Sequence, residues 1–328
     1  MARRWWWNIG TSIDKPKVVA IGGGTGMSTL LKGLKKYDVD ITAVVSVTDE
    51  GGSSGILRKE LNIPPPGDVR NNFVALSENE EALERFFNYR FRDGFLNGHT
   101  VGNIILAALS KIHDGSLTTA VKYLSDILAI KGRILPVSDD LIRLVAIMND
   151  GTEVVGEVNI VKCKKRIVKV SLDKKVRAQP EVLEALREAD IIAIGPGSLY
   201  TSIITNFLVE GVKEAIAKSR ARVFYIANLM TQPGETDGMG LSDHIKEVEK
   251  YMGRQIDVAI VNSEKPPTSI LERYEKEGYH PLKLDVENVK RIIVMEPMIK
   301  LEKDIFDGKV KLRHDPDKLA AVLVNLFR

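Results

Sequence analysis

A short apolar run, Lys17-Val18-Val19-Ala20-Ile21, passes directly into Gly22-Gly23-Gly24-Thr25-Gly26-Met27-Ser28, and then into a stretch with Leu30, Leu31 and Leu34 on one helical face. That order predicts a buried strand, a tight turn and an amphipathic helix over Met27 to Lys36. Glycines without a Cβ let the backbone approach an anion, while the N–H groups and positive dipole of the following helix face it. Gly22, Gly23, Gly24, Thr25 and Gly26 are therefore candidate contacts for a nucleotide or sugar phosphate. A β-branched residue at Gly24 would fill the space a phosphate needs and would tolerate a positive φ poorly. Two common versions of the loop are excluded. Met27 stands where a dinucleotide fingerprint has its third glycine, and no Lys-Ser/Thr pair closes the loop as in a Walker motif.

Ile41 to Val47 reads as a second buried strand, completing a βαβ unit. Such a unit implies a right-handed crossover, a parallel sheet and ligands outside the carboxyl ends of the strands. Helical patterns follow over Asn71 to Ser77, Glu80 to Phe91, Val101 to His113 and Leu117 to Ile130, giving a helical cap segment at 71–130. Alternating runs at Leu141 to Met148, Val154 to Val161 and Ile167 to Leu172 surround the turn Asn149-Asp150-Gly151, which predicts a small antiparallel β insertion at 141–172. Parallel logic then resumes, with strands at Asp190 to Ile194, Arg222 to Ile226 and Ile256 to Val261. Helices are expected at Tyr200 to Lys218, Ser242 to Tyr251, Thr268 to Glu277 and Pro316 to Phe327. The expected fold class is α/β, a Rossmann-like three-layer sandwich with a mostly parallel sheet. It forms a single domain over 15–328 behind a flexible leader at 1–14.

The 328 residues, 44% of them hydrophobic, suffice for a full core. Basic and acidic residues nearly balance at 47 and 44, for a net charge of +3, so no field points to nucleic acid. The single cysteine, Cys163, precludes an intramolecular disulfide and a cysteine metal cluster, which suits a reducing cytoplasm. Two arginines and three tryptophans near the N-terminus, Arg3 to Trp7, suit a membrane interface, but no window offers the roughly 18 apolar residues of a membrane span.

Several other motifs can carry chemistry. Gly195, Pro196, Gly197 and Ser198 repeat the strand, turn and helix logic, so two anion cradles suggest a diphosphate ligand. Asn228 and Thr231, in the loop Asn228 to Thr236, offer groups for a base or a sugar. Asp49 and Asp68 suit a Mg²⁺ ion shared with phosphate, and equally suit turn or helix capping. Arg70, beside Asn71 in Pro64 to Asn72, presents a fork for phosphate or carboxylate. His99 and Asn103 enter another predicted helix, where His99 can act as acid, base or donor.

Six motifs in this order carry a resemblance to the CofD/YvcK-like family: Gly22 to Gly26, Asp49 to Gly55, Pro65 to Asn71, Gly98 to Asn103, Gly195 to Ser202 and Asn228 to Thr236. The resemblance runs from Lys17 to the terminal helix. One branch of that family contains 2-phospho-L-lactate transferases, which use Mg²⁺ to move phospholactate from a guanosine diphosphate carrier to a deazaflavin alcohol. The other contains gluconeogenesis factors, which bind UDP-sugars such as UDP-N-acetylglucosamine and support cell shape and wall synthesis on gluconeogenic carbon. Arg58 to Asn71 and Met230-Thr231-Gln232 are more similar to the second branch, which implies a cytoplasmic regulator; the transferase is the alternative. The branch resemblance also implies that Tyr274 and Arg313 contact the nucleotide sugar. Binding of this kind needs no cofactor beyond an optional Mg²⁺. A homo-oligomer and an unidentified protein partner remain open.

Overall fold

Uninterrupted apolar runs become the central strands of one parallel sheet, because strands covered on both faces have no solvent side to mark with polar residues. The computed structural model describes residues 15–304 and 308–327; the leader expected at 1–14 lies outside the described residues. The strands are β1 (Lys17–Gly22), β2 (Asp40–Val45), β3 (Arg133–Pro136), β4 (Leu144–Met148), β5 (Glu153–Val155), β6 (Ile167–Leu172), β7 (Ile191–Ile194), β8 (Arg222–Ile226), β9 (Val258–Asn262), β10 (Ile292–Glu296), β11 (Ile299–Lys303) and β12 (Val310–His314). Seven of them form a sheet in the order β10-β9-β8-β7-β1-β2-β3, with every neighbouring pair parallel.

The register sets Val18 between Ile41 and Ile191, and Ala20 between Ala43 and Ala193. Val18, Ala20, Ile21, Val44 and Ile192 have no exposed surface. Burying each large aliphatic side chain stabilises the fold by about 1.5–3 kcal/mol.

The helices are α1 (Thr25–Leu34), α2 (Gly52–Leu61), α3 (Gly67–Leu76), α4 (Glu80–Phe87), α5 (Val101–Ile112), α6 (Leu117–Leu128), α7 (Glu157–Cys163), α8 (Pro180–Glu188), α9 (Thr205–Phe207), α10 (Val212–Lys218), α11 (Leu241–Met252), α12 (Thr268–Lys276) and α13 (Pro316–Phe327). α1 packs against α3 and α13, whereas α8, α10 and α11 pack in succession as a second group, which gives the Rossmann-like layering. Strand order reverses between β1 and β7. The carboxyl ends of these two strands therefore flank the crevice where such sheets take their ligands.

Some boundaries differ from expectation for identifiable reasons. The expected strand Val154 to Val161 stops at Val155, because Gly156 at φ +95° turns the chain and Glu157 begins α7. The insertion is thus a three-stranded sheet, β5-β4-β6, with a helix inside it. The helix expected over Tyr200 to Lys218 is split into a π-helical turn at Leu199–Ile204, α9 and α10, with Gly211 at φ +96° separating the last two. Asp68 lies inside the first turn of α3, behind an N-cap at Pro66, so it does not cap that helix. Among the described residues, no helix is long and apolar enough to cross a membrane.

Candidate functional site

The first glycine loop sits at the carboxyl end of β1 and leads into α1, whose N-cap Gly24 makes no side-chain capping bond. Helix N-terminal N–H groups without a side-chain cap are open to an anion. Gly24 has φ −93°, and none of Gly22, Gly23, Gly24 or Gly26 has positive φ, so handedness does not require these glycines. Close approach does. A Cβ on Gly24 would lie 2.5 Å from Asp68 Oδ1 and 2.6 Å from Asn71 Nδ2; on Gly23 it would lie 2.8 Å from both Asp68 Oδ2 and Ser202 Oγ. Thr25, the first residue of α1, accepts from Ser28 Oγ at 2.8 Å through its carbonyl oxygen.

The second loop touches the first, since a Cβ on Gly26 would meet the Pro196 carbonyl oxygen at 2.2 Å and Gly197 Cα at 3.0 Å. Its own donors are already engaged. Gly197 N–H donates to Asn228 Oδ1 at 3.0 Å, and Asn228 Nδ2 donates back to the Gly197 carbonyl at 2.8 Å. Tyr200 and Thr201 N–H both donate to Glu235 Oε1, at 2.6 and 3.0 Å. The helix start that follows Gly195-Pro196-Gly197-Ser198 thus holds an internal carboxylate, and Ser198 Oγ donates to Gln232 at 2.7 Å. In the first loop Gly22, Gly23 and Gly24 are buried and the Gly24 N–H is bonded to the Asp68 carboxylate, so only the start of α1 at Thr25 and Gly26 reaches the surface; the second loop forms its wall. Burial pushes the Glu235 carboxyl up to about 7.

Carboxylates gather beside the first loop. Asp49 Oδ1 accepts from Gly51 N–H at 2.8 Å, and Asp68 Oδ2 accepts from Ser46 Oγ at 3.1 Å. A Cβ on Gly67 would lie 2.7 Å from Asp49 Oδ2, so glycine there lets α3 start against this carboxylate. Burial, and then the neighbouring Asp49 charge, hold the Asp68 carboxyl well above the usual range. Glu157 arrives from the β insertion and accepts from Glu50 N–H at 3.1 Å; burial, then Asp49 and Asp68, push it up to about 8. Glu50 in turn accepts from Arg143 Nε at 2.7 Å, which ties the insertion to the site.

Arg70, on α3, is held by neutral groups: Nη1 donates to Thr100 Oγ1 at 2.8 Å and to Asn103 Oδ1 at 3.0 Å, and Nη2 donates to Asn71 Oδ1 at 2.9 Å. Gly102 makes room for its stem, since a Cβ there would lie 2.8 Å from Arg70 Cγ. His99 Nδ1 pairs with Ser53 Oγ at 3.1 Å, and Asn103 Nδ2 donates to Ser54 Oγ at 3.4 Å. The motifs at Asp49 to Gly55, Pro65 to Asn71 and Gly98 to Asn103 are thereby one polar network joining α2, α3 and α5.

From Thr25 and Asn71 a cleft of about 960 Å³ opens along one face of α1, between the helical segment and the β11–β12 hairpin. Arg313, on β12, lines it. Tyr274 is brought next to Arg313 in the chain, since its Oη accepts from Leu312 N–H at 3.0 Å. Thr231 points elsewhere: its N–H and hydroxyl bond to the backbone of His280. Sequence reasoning missed Glu157, whose segment reads as a strand, and Glu235, which lies inside a quoted motif but carries no distinguishing neighbour.

These features describe a Rossmann-like α/β protein whose switch-point crevice combines a glycine loop, half-buried carboxylates and a cationic cleft. The family model described as 2-phospho-L-lactate transferase CofD matches residues 18–299. The chain belongs to the CofD family. A relative from Thermotoga maritima is 58% identical over 313 residues, covering 95% of this chain and 99% of its own. A Bacillus subtilis relative named gluconeogenesis factor is 44% identical over 321 residues, covering 96% of this chain and 99% of its own. The crystal structure of a UPF0052 family member from Bacillus halodurans superposes with a TM-score of 0.89 at 43% identity, over 94% of this chain and all of that one.

Proposed function

We propose that this chain is a cytoplasmic nucleotide-sugar-binding regulator of the gluconeogenesis-factor type, with UDP-N-acetylglucosamine as the representative ligand and a role in cell shape and wall synthesis during gluconeogenic growth. The observation that carries the reading is that the N-terminal turn of α1, at Thr25 and Ser28 just after the glycine loop, opens into the same cleft that Arg313 lines. A diphosphate at the helix N-terminus leaves the cleft for the sugar. The names of the relatives support the gluconeogenic context. A ligand that binds only the folded state stabilises it by about 2.7 kcal/mol at a hundredfold excess over Kd, so UDP-N-acetylglucosamine raises the thermal midpoint. A shift with GDP and none with any UDP-sugar overturns this reading.

The carboxylates support a second reading, a Mg²⁺-dependent transferase acting on a nucleoside-diphosphate-linked donor. Asp49 and Asp68 fit an ion held by one or two carboxylates and completed by ligand phosphates. Among the described residues, no group of three or more acidic, histidine or cysteine side chains is placed to hold a metal by itself. Mg²⁺ would neutralise charge on the diphosphate. Turnover of phospholactyl-GDP with a deazaflavin acceptor, lost in Asp49→Asn, would establish the transferase.

A further inference from the structure

The cleft along α1 holds more positive charge than its own carboxylates neutralise. Lys32 pairs with Glu80 at 2.7 Å, Lys36 with Asp317 at 2.5 Å, and Lys311 with Asp304. Arg70, Arg90 and Arg313 also line the cleft, and none of them has a carboxylate within ion-pair distance among the described residues. Arg313 comes from the hairpin wall, whereas Arg70 and Arg90 come from the helical segment.

Arg70 and Arg90 form an unusual pair. Of the five N–H donors of a guanidinium, Arg70 uses three on Thr100, Asn103 and Asn71, all of them neutral acceptors, and its enclosed Nε–H has no partner. Arg90 spends one donor on the Gly98 carbonyl and is positioned by the bridge between Arg90 and Thr100, the residue that also receives Arg70. Burial first, and then the Arg90 charge, disfavour the charged form of Arg70. Two guanidiniums that meet at Thr100, hydrogen-bonded to neutral partners and with spare donors, are placed for an anion to bridge them.

We propose that Arg70 and Arg90 form a second oxyanion subsite of the cleft, which takes a carboxylate on the sugar end of a nucleoside-diphosphate sugar. The preferred ligands are then acidic nucleotide sugars. A carboxylate suits the pair because its two oxygens match the planar fork of a guanidinium. This inference rests on the nucleotide-sugar reading and extends it to the sugar's substituent.

Calorimetry with UDP-glucose and UDP-glucuronate, which differ only in whether C6 is a hydroxymethyl or a carboxylate, tests it directly. The parent protein is expected to bind UDP-glucuronate about tenfold to a hundredfold more tightly, as a charge-assisted contact implies. In Arg90→Ala that ratio falls to near one, and Arg90→Lys recovers part of it; thermal melts without ligand establish that both variants fold. Equal affinities in the parent, or a ratio that survives in Arg90→Ala, overturns the subsite and leaves the nucleotide-sugar reading standing. Binding of neither ligand overturns both.

Discussion

Gly26 and the Pro196 carbonyl oxygen are in such close contact that a Cβ on Gly26 would lie 2.2 Å from that oxygen. The contact joins the turn after β1 to the turn after β7, the two strands at which sheet order reverses. Backbone lies on both sides, so no side chain can swing away to relieve a collision. Gly26→Ala is expected to lower stability by about 1–3 kcal/mol, the usual cost of overpacking. It should also weaken phosphate-ligand binding by separating the loops. Urea denaturation measures the first effect and calorimetry the second; a variant as stable as the parent would show that the loops part easily.

Glu157 makes stability depend on pH. Its folded-state pKa, about 8, is above the ordinary value of 4.5, so the folded chain holds a proton that the unfolded chain releases. The favourable contribution is complete below the unfolded value and is lost as pH rises through about 8. Glu157→Gln keeps the acceptor for Glu50 N–H and removes the charge. At pH 8.5 the variant is expected to be more stable than the parent by about 1–3 kcal/mol, a difference that vanishes near pH 4.5. Melting curves across this range check the sign.

Glu50 anchors the β insertion by accepting from Arg143 Nε and by facing Arg58, whose Nη2 donates to the Ile142 carbonyl at 2.6 Å. Burial already disfavours the Arg58 charge. Glu50→Ala leaves that buried guanidinium without its counter-charge, and a loss of about 3–5 kcal/mol is expected. The second substitution in Arg58→Met/Glu50→Ala should restore much of it, which a double-mutant cycle in urea would read.

Legibility in the sequence followed hydrophobic contrast. β1, β2, β7, β8 and β9 are apolar runs buried on both faces, and α13 is amphipathic from Pro316 to Phe327, so all were readable. β3 has only four residues, and β11 is mostly exposed, with Lys300, Glu302 and Lys303 giving no core-facing alternation. Neither was expected. The cleft wall formed by β11 and β12 was therefore invisible, although Arg313 itself was marked through family resemblance. Glycine motifs announced the loops, but not that Asn228 and Glu235 occupy the donors of the second one. Glu157 reaches the Glu50 N–H, next to Asp49 in the chain, only through the turn at Gly156, a contact that depends on tertiary packing.

Arg313 separates binding from folding. Its backbone is paired with Lys300 in the β11–β12 hairpin, but its side chain lines the cleft and makes no hydrogen bond or ion pair with the described residues, so the empty protein gains little from its guanidinium. Arg313→Ala is expected to leave the melting midpoint without ligand almost unchanged. The same substitution removes a charge-assisted fork to the diphosphate worth roughly 1.5–3 kcal/mol, weakening UDP-N-acetylglucosamine binding about tenfold to a hundredfold. Arg313→Lys should recover charge but not bidentate geometry, and so fall between the two. Parent-like affinity in Arg313→Ala would assign β12 to the scaffold and place the diphosphate on the Gly22–Gly26 cradle alone.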